Sequence, residues 1–227
     1  MTLRRSLCCL LLLAAPAAFA GTIAYDYPTV DHDGNSPNAG NQNYGFGLGM
    51  DFHVNVGQAI VVDQLGAFYS GQATIDPGTT LTVQLYVQAN TATPLATAIF
   101  DSTTPGTLVG GQYMLNITPV FLGAGGYTIV AYGYNSNQLN GNLNVGLLTF
   151  KPANLNGGGV LTFDVSSPYG SNAGTYPNTP FSGYPNEFGA GTFSFDNASA
   201  PEPGSLLLFG TGLVAMVVRL RRPRVTW

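Results

Sequence analysis

The sequence predicts an all-β chain: an antiparallel β-sandwich, jelly-roll-like, with an N-terminal signal peptide before it and a C-terminal transmembrane helix after it. Three observations predict this. Short segments alternate apolar and polar side chains with a period of two, the pattern of half-buried strands. Turn chemistry separates them: roughly a quarter of residues 21–200 is Gly or Asn, and no stretch there carries a helical period. The basic residues stand at the ends, because Lys151 is the only Lys or Arg between Arg5 and Arg219.

Residues 1–20 begin with Arg4 and Arg5, continue as an apolar run from Leu7 to Ala15, and close on Ala18-Phe19-Ala20 before Gly21. Small residues two apart after a short apolar run make a secretory signal peptide, and the run is too short to span a bilayer. Both cysteines, Cys8 and Cys9, lie inside it. Cleavage therefore leaves a mature chain without disulfides, thiolate metal sites or a cysteine nucleophile.

The sandwich body is expected over 21–165, built from strands at 22–27, 50–56, 59–69, 81–88, 96–100, 113–117, 126–134, 143–150 and 161–165, with a last strand at 192–195. Alternation is clearest at Leu81-Thr82-Val83-Gln84-Leu85-Tyr86-Val87-Gln88. The turns between strands include Asp76-Pro77-Gly78, Thr104-Pro105-Gly106 and Asn140-Gly141-Asn142. This length suits one hydrophobic core. The rhythm of Phe52 to Gly71 and of Gly125 to Ala131 is similar to a β-sandwich module of unknown function in exported bacterial proteins, a module that brings no catalytic residues.

The chain is 8% charged against about 25% in ordinary soluble proteins. Over residues 21–200, ten acidic residues stand against one lysine, a formal charge of −9. That excludes nucleic-acid binding, which needs clustered Lys and Arg. Catalysis is not expected. His32 and His53 are the two histidines, no nucleophile-elbow glycines surround a serine, and His53 falls on the polar phase of a strand. Glu187 is the one glutamate in this span, so a pair of glycosidase carboxylates would have to draw on aspartates, and a secreted hydrolase ranks last. No cofactor is implied. Asp31-His32-Asp33-Gly34-Asn35 suggests calcium through Asp31, Asp33 and Asn35, but Gly34 and Gln42 break the EF-hand spacing, and an exposed Asx-turn is the alternative.

Residues 166–199 form an aromatic segment rich in Gly, Pro and Asn that leads into the last strand. Tyr169, Tyr176, Phe181 and Tyr184, within 166–191, are candidate sugar-stacking residues. Aromatic faces pack on the C–H faces of sugar rings while neighbouring amides pair hydroxyls. The alternative is that these rings plug one open end of the sandwich.

Pro201-Glu202-Pro203 precedes an uncharged run from Ser205 to Val218 and then Arg219, Arg221, Arg222 and Arg224. A helix over 205–218 is about 21 Å long, and snorkelling of Arg219 with local thinning lets it cross a core of about 30 Å. The arginines place the C-terminus in the cytoplasm and the body outside it, as a cleaved signal also requires. Residues 200–224 thus resemble the PEP-CTERM sorting signal of exported Gram-negative proteins. The resemblance implies recognition by an exosortase and passage from the inner membrane to the cell surface or exterior, commonly in an exopolysaccharide context. The expected partners are the secretion machinery, signal peptidase, exosortase and exopolysaccharide. A structural or adhesive role in the envelope or extracellular matrix follows, with carbohydrate binding through 166–191 as the alternative. Mass spectrometry of the protein exported by a host with an exosortase should find residues 1–20 and the basic tail removed; an intact C-terminus through Trp227 would refute this processing.

Overall fold

The computed structural model describes residues 21–27, 40–71, 74–143, 153–172, 174–183 and 187–198. All regular structure there is β, and no helix occurs among the described residues. The strands are β1 (Thr22–Ile23), β2 (Tyr25–Asp26), β3 (Leu48–Val54), β4 (Ile60–Phe68), β5 (Leu81–Val87), β6 (Ala96–Phe100) and β7 (Thr107–Val109). They continue as β8 (Gln112–Leu122), β9 (Gly125–Tyr132), β10 (Gly141–Asn142), β11 (Ala153–Asn154), β12 (Leu161–Phe163), β13 (Phe188–Gly189) and β14 (Gly191–Asn197). Two five-stranded antiparallel sheets, in the orders β1-β14-β4-β8-β7 and β12-β3-β9-β5-β6, face each other, and β10-β13 and β11-β2 form two further short pairs. β6 packs against β8, so the sheets curl together on that side.

Alternation decides the faces. Leu48, Met50, Phe52 and Val54 of β3 point inward against Ala131, Ile129 and Tyr127 of β9, their register partners or neighbours. Leu81, Val83 and Leu85 of β5 do the same, as do Phe193 and Phe195 of β14, all fully buried. Phe52 stacks on Phe193 with centroids 4.7 Å apart and on Tyr127 at 5.7 Å. Asp63 is the extra residue of a bulge in β4 against β14, and β8 carries the extra residues 117–119 opposite it, so that sheet bends over the core.

Two turns show why glycine is required. Thr79 N–H bonds Asp76 O at 3.0 Å around Pro77 and Gly78, whose φ of 86° is the left-handed value that a Pro-Gly turn needs at its third residue. Gly133 has φ 97°, and a Cβ there would lie 2.0 Å from Thr80 O.

The N-terminal segment contributes core as well as edge. Ala24 N–H continues the β14 pairing to Phe193 O, after which Tyr25 and Tyr27 turn inward and are fully buried. Tyr25 packs on Phe163 at 4.9 Å, and the Tyr27 hydroxyl donates to Gly191 O at 3.0 Å. Tyr134 ties the end of β4 to the bend between β13 and β14, accepting from Phe68 N–H and donating to Ala190 O.

The expected strands at 50–56, 59–69, 81–88, 96–100, 113–117, 126–134, 161–165 and 192–195 correspond to β3, β4, β5, β6, β8, β9, β12 and β14, with shifted ends except at β6. The expected strand at 22–27 is split into β1 and β2. Residues 144–150 of the segment expected at 143–150 lie outside the described residues, as do the signal peptide and the C-terminal helix. β7, β10, β11 and β13 were not expected; each is two or three residues long and owes its strand state to its partner.

Burial raises the phenol pKa of Tyr25, Tyr27 and Tyr134 well above the ordinary value. Burial, aided by nearby Tyr69 and Asp76, pushes Tyr113 up to about 12. These groups stay protonated when folded and ionise near pH 10 when unfolded, so their contribution is complete below about pH 10 and is lost as pH rises toward the folded values. The melting temperature should be level to about pH 9.5 and then fall, with tyrosinate absorbance rising together with loss of the β circular dichroism signal. Tyrosinate absorbance that rises fully before the fold melts would refute this.

Candidate functional site

The aromatic segment after β12 is an ordered hairpin. Beyond Phe163 the chain keeps pairing with β3: Asp164 N–H bonds Asp51 O at 3.0 Å, and Asp51 N–H bonds Ser166 O at 3.0 Å. Gly49 N–H bonds Pro168 O at 2.7 Å, and Gly170 N–H bonds Gly47 O at 2.8 Å. The chain then turns back, and Tyr169 and Thr179 exchange two backbone bonds of 2.9 Å while Ser167 N–H bonds Phe181 O. Residues 179–182 thus pair, through isolated bridges, with residues 166–169 of the segment that continues β12.

This hairpin sends its rings to two places. Tyr176 lies on the outer face of the sheet, its hydroxyl 2.9 Å from Thr128 Oγ1 and its ring edge-on to Tyr86 at 5.2 Å. Thr128 donates in turn to Asp51 Oδ1 at 2.5 Å. Burial is the main cause that raises the Tyr176 pKa. The cover explains why Thr82 and Tyr86, on the solvent phase of β5, are buried. The outer face also carries His53, half-exposed, with Nδ1 2.7 Å from Asp164 Oδ2.

Tyr169 turns the other way and packs on the core. With Phe181 it lines a cleft of about 270 Å³ completed by Gln42, Tyr44, Leu48, Asn142 and Phe188. Phe181 and Phe188 stand 6.1 Å apart with planes tilted by 40°, and Tyr44 meets Phe46 edge-on at 5.5 Å. The Tyr44 hydroxyl donates to Gly170 O, tying one wall to the hairpin. Burial raises its pKa, so the phenol is protonated at neutral pH.

The polar wall is a lattice of amides. Asn140 N–H bonds Gln42 O at 2.9 Å, and Asn41 and Gln42 N–H groups both bond Asn140 O at 3.0 Å. Gln42 Oε1 accepts from Asn140 Nδ2 at 2.8 Å and Asn142 Nδ2 at 3.2 Å. Asn41 brackets the Asn142 backbone, accepting its N–H at 2.8 Å and donating to its O at 2.9 Å. Glu187, next to Phe188, is fully buried, and its carbonyl accepts Leu143 N–H at 3.0 Å. A second groove, between β6 and β8, is walled by Thr97, Asn116, Thr118 and Pro119 among others and has no aromatic ring.

Of the four expected stacking residues, the structure brings Tyr169 and Phe181 to one cleft, puts Tyr176 on the opposite face of the sheet, and leaves Tyr184 outside the described residues. Asp31, Asp33 and Asn35 also lie outside them, as do Pro201, Glu202, Pro203 and Arg219, Arg221, Arg222 and Arg224. Gln42, Tyr44 and Asn142 were not expected in this site, and Phe188, though within the aromatic segment, was not among the stacking candidates. The Asn-Gly-Asn turn at 140–142 was the one local signal near them, and it spoke of a turn rather than of a site.

Replacing Tyr176 with Phe removes the hydroxyl contact to Thr128 and keeps the ring on Tyr86. It should lower stability by about 1 kcal/mol in urea denaturation, and no change would show that the hydroxyl bond is not formed in solution.

No curated protein and no solved structure matches this chain. Residues 199–222 match the PEP-CTERM protein-sorting motif. They follow directly on Ala198, whose N–H bonds Ala59 O at 2.9 Å where the body ends. The match bears out the resemblance of the tail: residues 199–222 carry a PEP-CTERM sorting motif, which supports export and sorting by an exosortase.

Proposed function

We propose that this protein is a non-enzymatic adhesive component of the cell envelope or extracellular matrix that holds neutral polysaccharide in the cleft of Tyr169 and Phe181. The signal peptide of residues 1–20 starts export. The run Ser205–Val218 holds the chain in the inner membrane with Arg219, Arg221, Arg222 and Arg224 inside, and Pro201-Glu202-Pro203 presents extended chain for processing.

The observation that carries the reading is the pairing of ring walls with amides in one cleft. Sugar rings offer apolar faces to aromatic side chains and hydroxyls to amide groups. With Gln42 Oε1 engaged by two asparagines, Nε2 is the donor that Gln42 keeps for a hydroxyl. Among the described residues the lining has no carboxylate, imidazole or thiol, so it suits holding a ligand better than moving its protons. A body at −9 repels acidic polysaccharide, which favours a neutral one.

Affinity electrophoresis in gels containing dextran, hydroxyethylcellulose or galactomannan tests this. At least one should retard the protein, and Phe181→Ala should weaken that retardation by about tenfold, the equivalent of roughly 1.4 kcal/mol. Unchanged mobility in all three gels would overturn the reading.

A further inference from the structure

The cleft has a closed perimeter. Leu48, Asn142 and Phe188 are buried and form its floor, while Gln42, Tyr44, Tyr169 and Phe181 are half-buried and form its rim. Each stretch of wall is joined to the next. Asn142 Nδ2 donates to Gln42 Oε1 at 3.2 Å, and Asn142 pairs with Phe188 in the β10-β13 ladder. Phe188 packs on Phe181 with centroids 6.1 Å apart, and the hairpin arm of Phe181 pairs with the arm of Tyr169, where Ser167 N–H bonds Phe181 O at 2.9 Å. Gly170, the residue after Tyr169, accepts the Tyr44 hydroxyl, and Tyr44 leads back along the chain to Gln42, where the circuit ends.

A main chain that runs through a binding site needs one opening to enter and another to leave. This circuit leaves neither, so a ligand reaches Leu48 only from above. The volume agrees: about 270 Å³ falls below the roughly 300–1,000 Å³ of clefts that enclose drug-sized ligands, which is room for one hexose ring and not for a linked series. The polar groups are as few. Gln42 keeps Nε2 as a donor, and Tyr44 Oη, which donates to Gly170 O, keeps a lone pair as an acceptor. A second sugar residue in the pit would bury hydroxyls without partners at about 1–3 kcal/mol each, whereas a single residue can turn one hydroxyl edge to Gln42 and Tyr44 and leave the rest to water.

We infer that the cleft takes a non-reducing terminal hexose, a residue joined to its neutral glycan by one glycosidic bond, and does not grip an internal stretch of chain. This rests on the adhesive reading above and adds the part of the glycan that is recognised. The inserted ring stacks on the rim aromatics, and the rest of the glycan rises from the mouth of the pit into solvent. Affinity then follows the number of singly linked residues and not the length of the chain.

Competition affinity electrophoresis of the full chain, in micelles of a sugar-free detergent, tests this with each of the same polysaccharides that retards it. Two competitors are compared: the methyl glycoside of that polysaccharide's terminal sugar and a linear tetrasaccharide of its main chain. Mole for mole, the methyl glycoside should compete no worse than about threefold below the tetrasaccharide, and Phe181→Ala should weaken the methyl glycoside by about tenfold. A tetrasaccharide that competes better by about tenfold or more, or a methyl glycoside that relieves no retardation, would overturn terminal recognition alone. Absence of retardation by every polysaccharide, or competition by the methyl glycoside that Phe181→Ala leaves unchanged, would instead overturn the adhesive reading on which it rests.

Discussion

Backbone hydrogen bonding along both edges of β3 is the constraint on which the cleft end of the molecule depends. β9 pairs along one edge, and β12 with its continuation through Gly170 pairs along the other. With both edges taken, register is set, and a slip of one residue would exchange Leu48, Met50 and Phe52 for Gly49, Asp51 and His53. The glycines on the outer phase are part of this arrangement. A Cβ on Gly49 would lie 3.0 Å from Pro168 and 3.1 Å from Pro177, so the hairpin can lie flat on β3 because that position carries no side chain. Tyr169 then falls beside Leu48, which is what makes a cleft from an edge.

Tyrosine hydroxyls tie the two layers together where disulfides would in many exported domains. Tyr27 reaches Gly191 O, Tyr134 joins Phe68 to Ala190, and the partly buried Tyr127 caps Gly123 O at 2.9 Å. Each ring fills core volume while its hydroxyl satisfies a backbone group that burial would otherwise leave costly. A net contribution of about 1 kcal/mol per bond is modest, but the ties of Tyr27 and Tyr134 join residues far apart in sequence and so limit how the strands can separate. Residues 21–227 hold no cysteine, so such cross-links come from other chemistry.

How much of this was legible depends on the physical origin of each feature. β5 could be read because its alternation is local, and the face assignments of β3 and β14 follow from the same pattern. β7 could not: all three of its residues are exposed, and its strand state comes from Thr107, Leu108 and Val109 pairing with Met114, Tyr113 and Gln112. The aromatic richness of 166–191 marked a segment that contributes Tyr169 and Phe181 to the cleft. The parting of Tyr169 from Tyr176 did not show, because prolines and glycines interrupt the alternation that would have assigned their faces. The amide wall was invisible for a different reason: Gln42 and Asn142 are about a hundred residues apart, and only the pairing of Gln42 with Asn140 brings them together. The tail was the opposite case, since its motif, apolar run and arginines are contiguous and could be read whole.

The amide lattice of Asn41, Gln42, Asn140 and Asn142 has a consequence for where the protein can work. None of these groups titrates between strong acid and strong base, and none carries a net charge for dissolved ions to screen. The shape of the polar wall is therefore indifferent to acidity and salinity, two variables that a cell regulates inside its membrane and surrenders outside it. A wall built from carboxylates and lysines would change with every shift of the surrounding water, whereas this one keeps the same donors and acceptors in rain, brine or a souring biofilm.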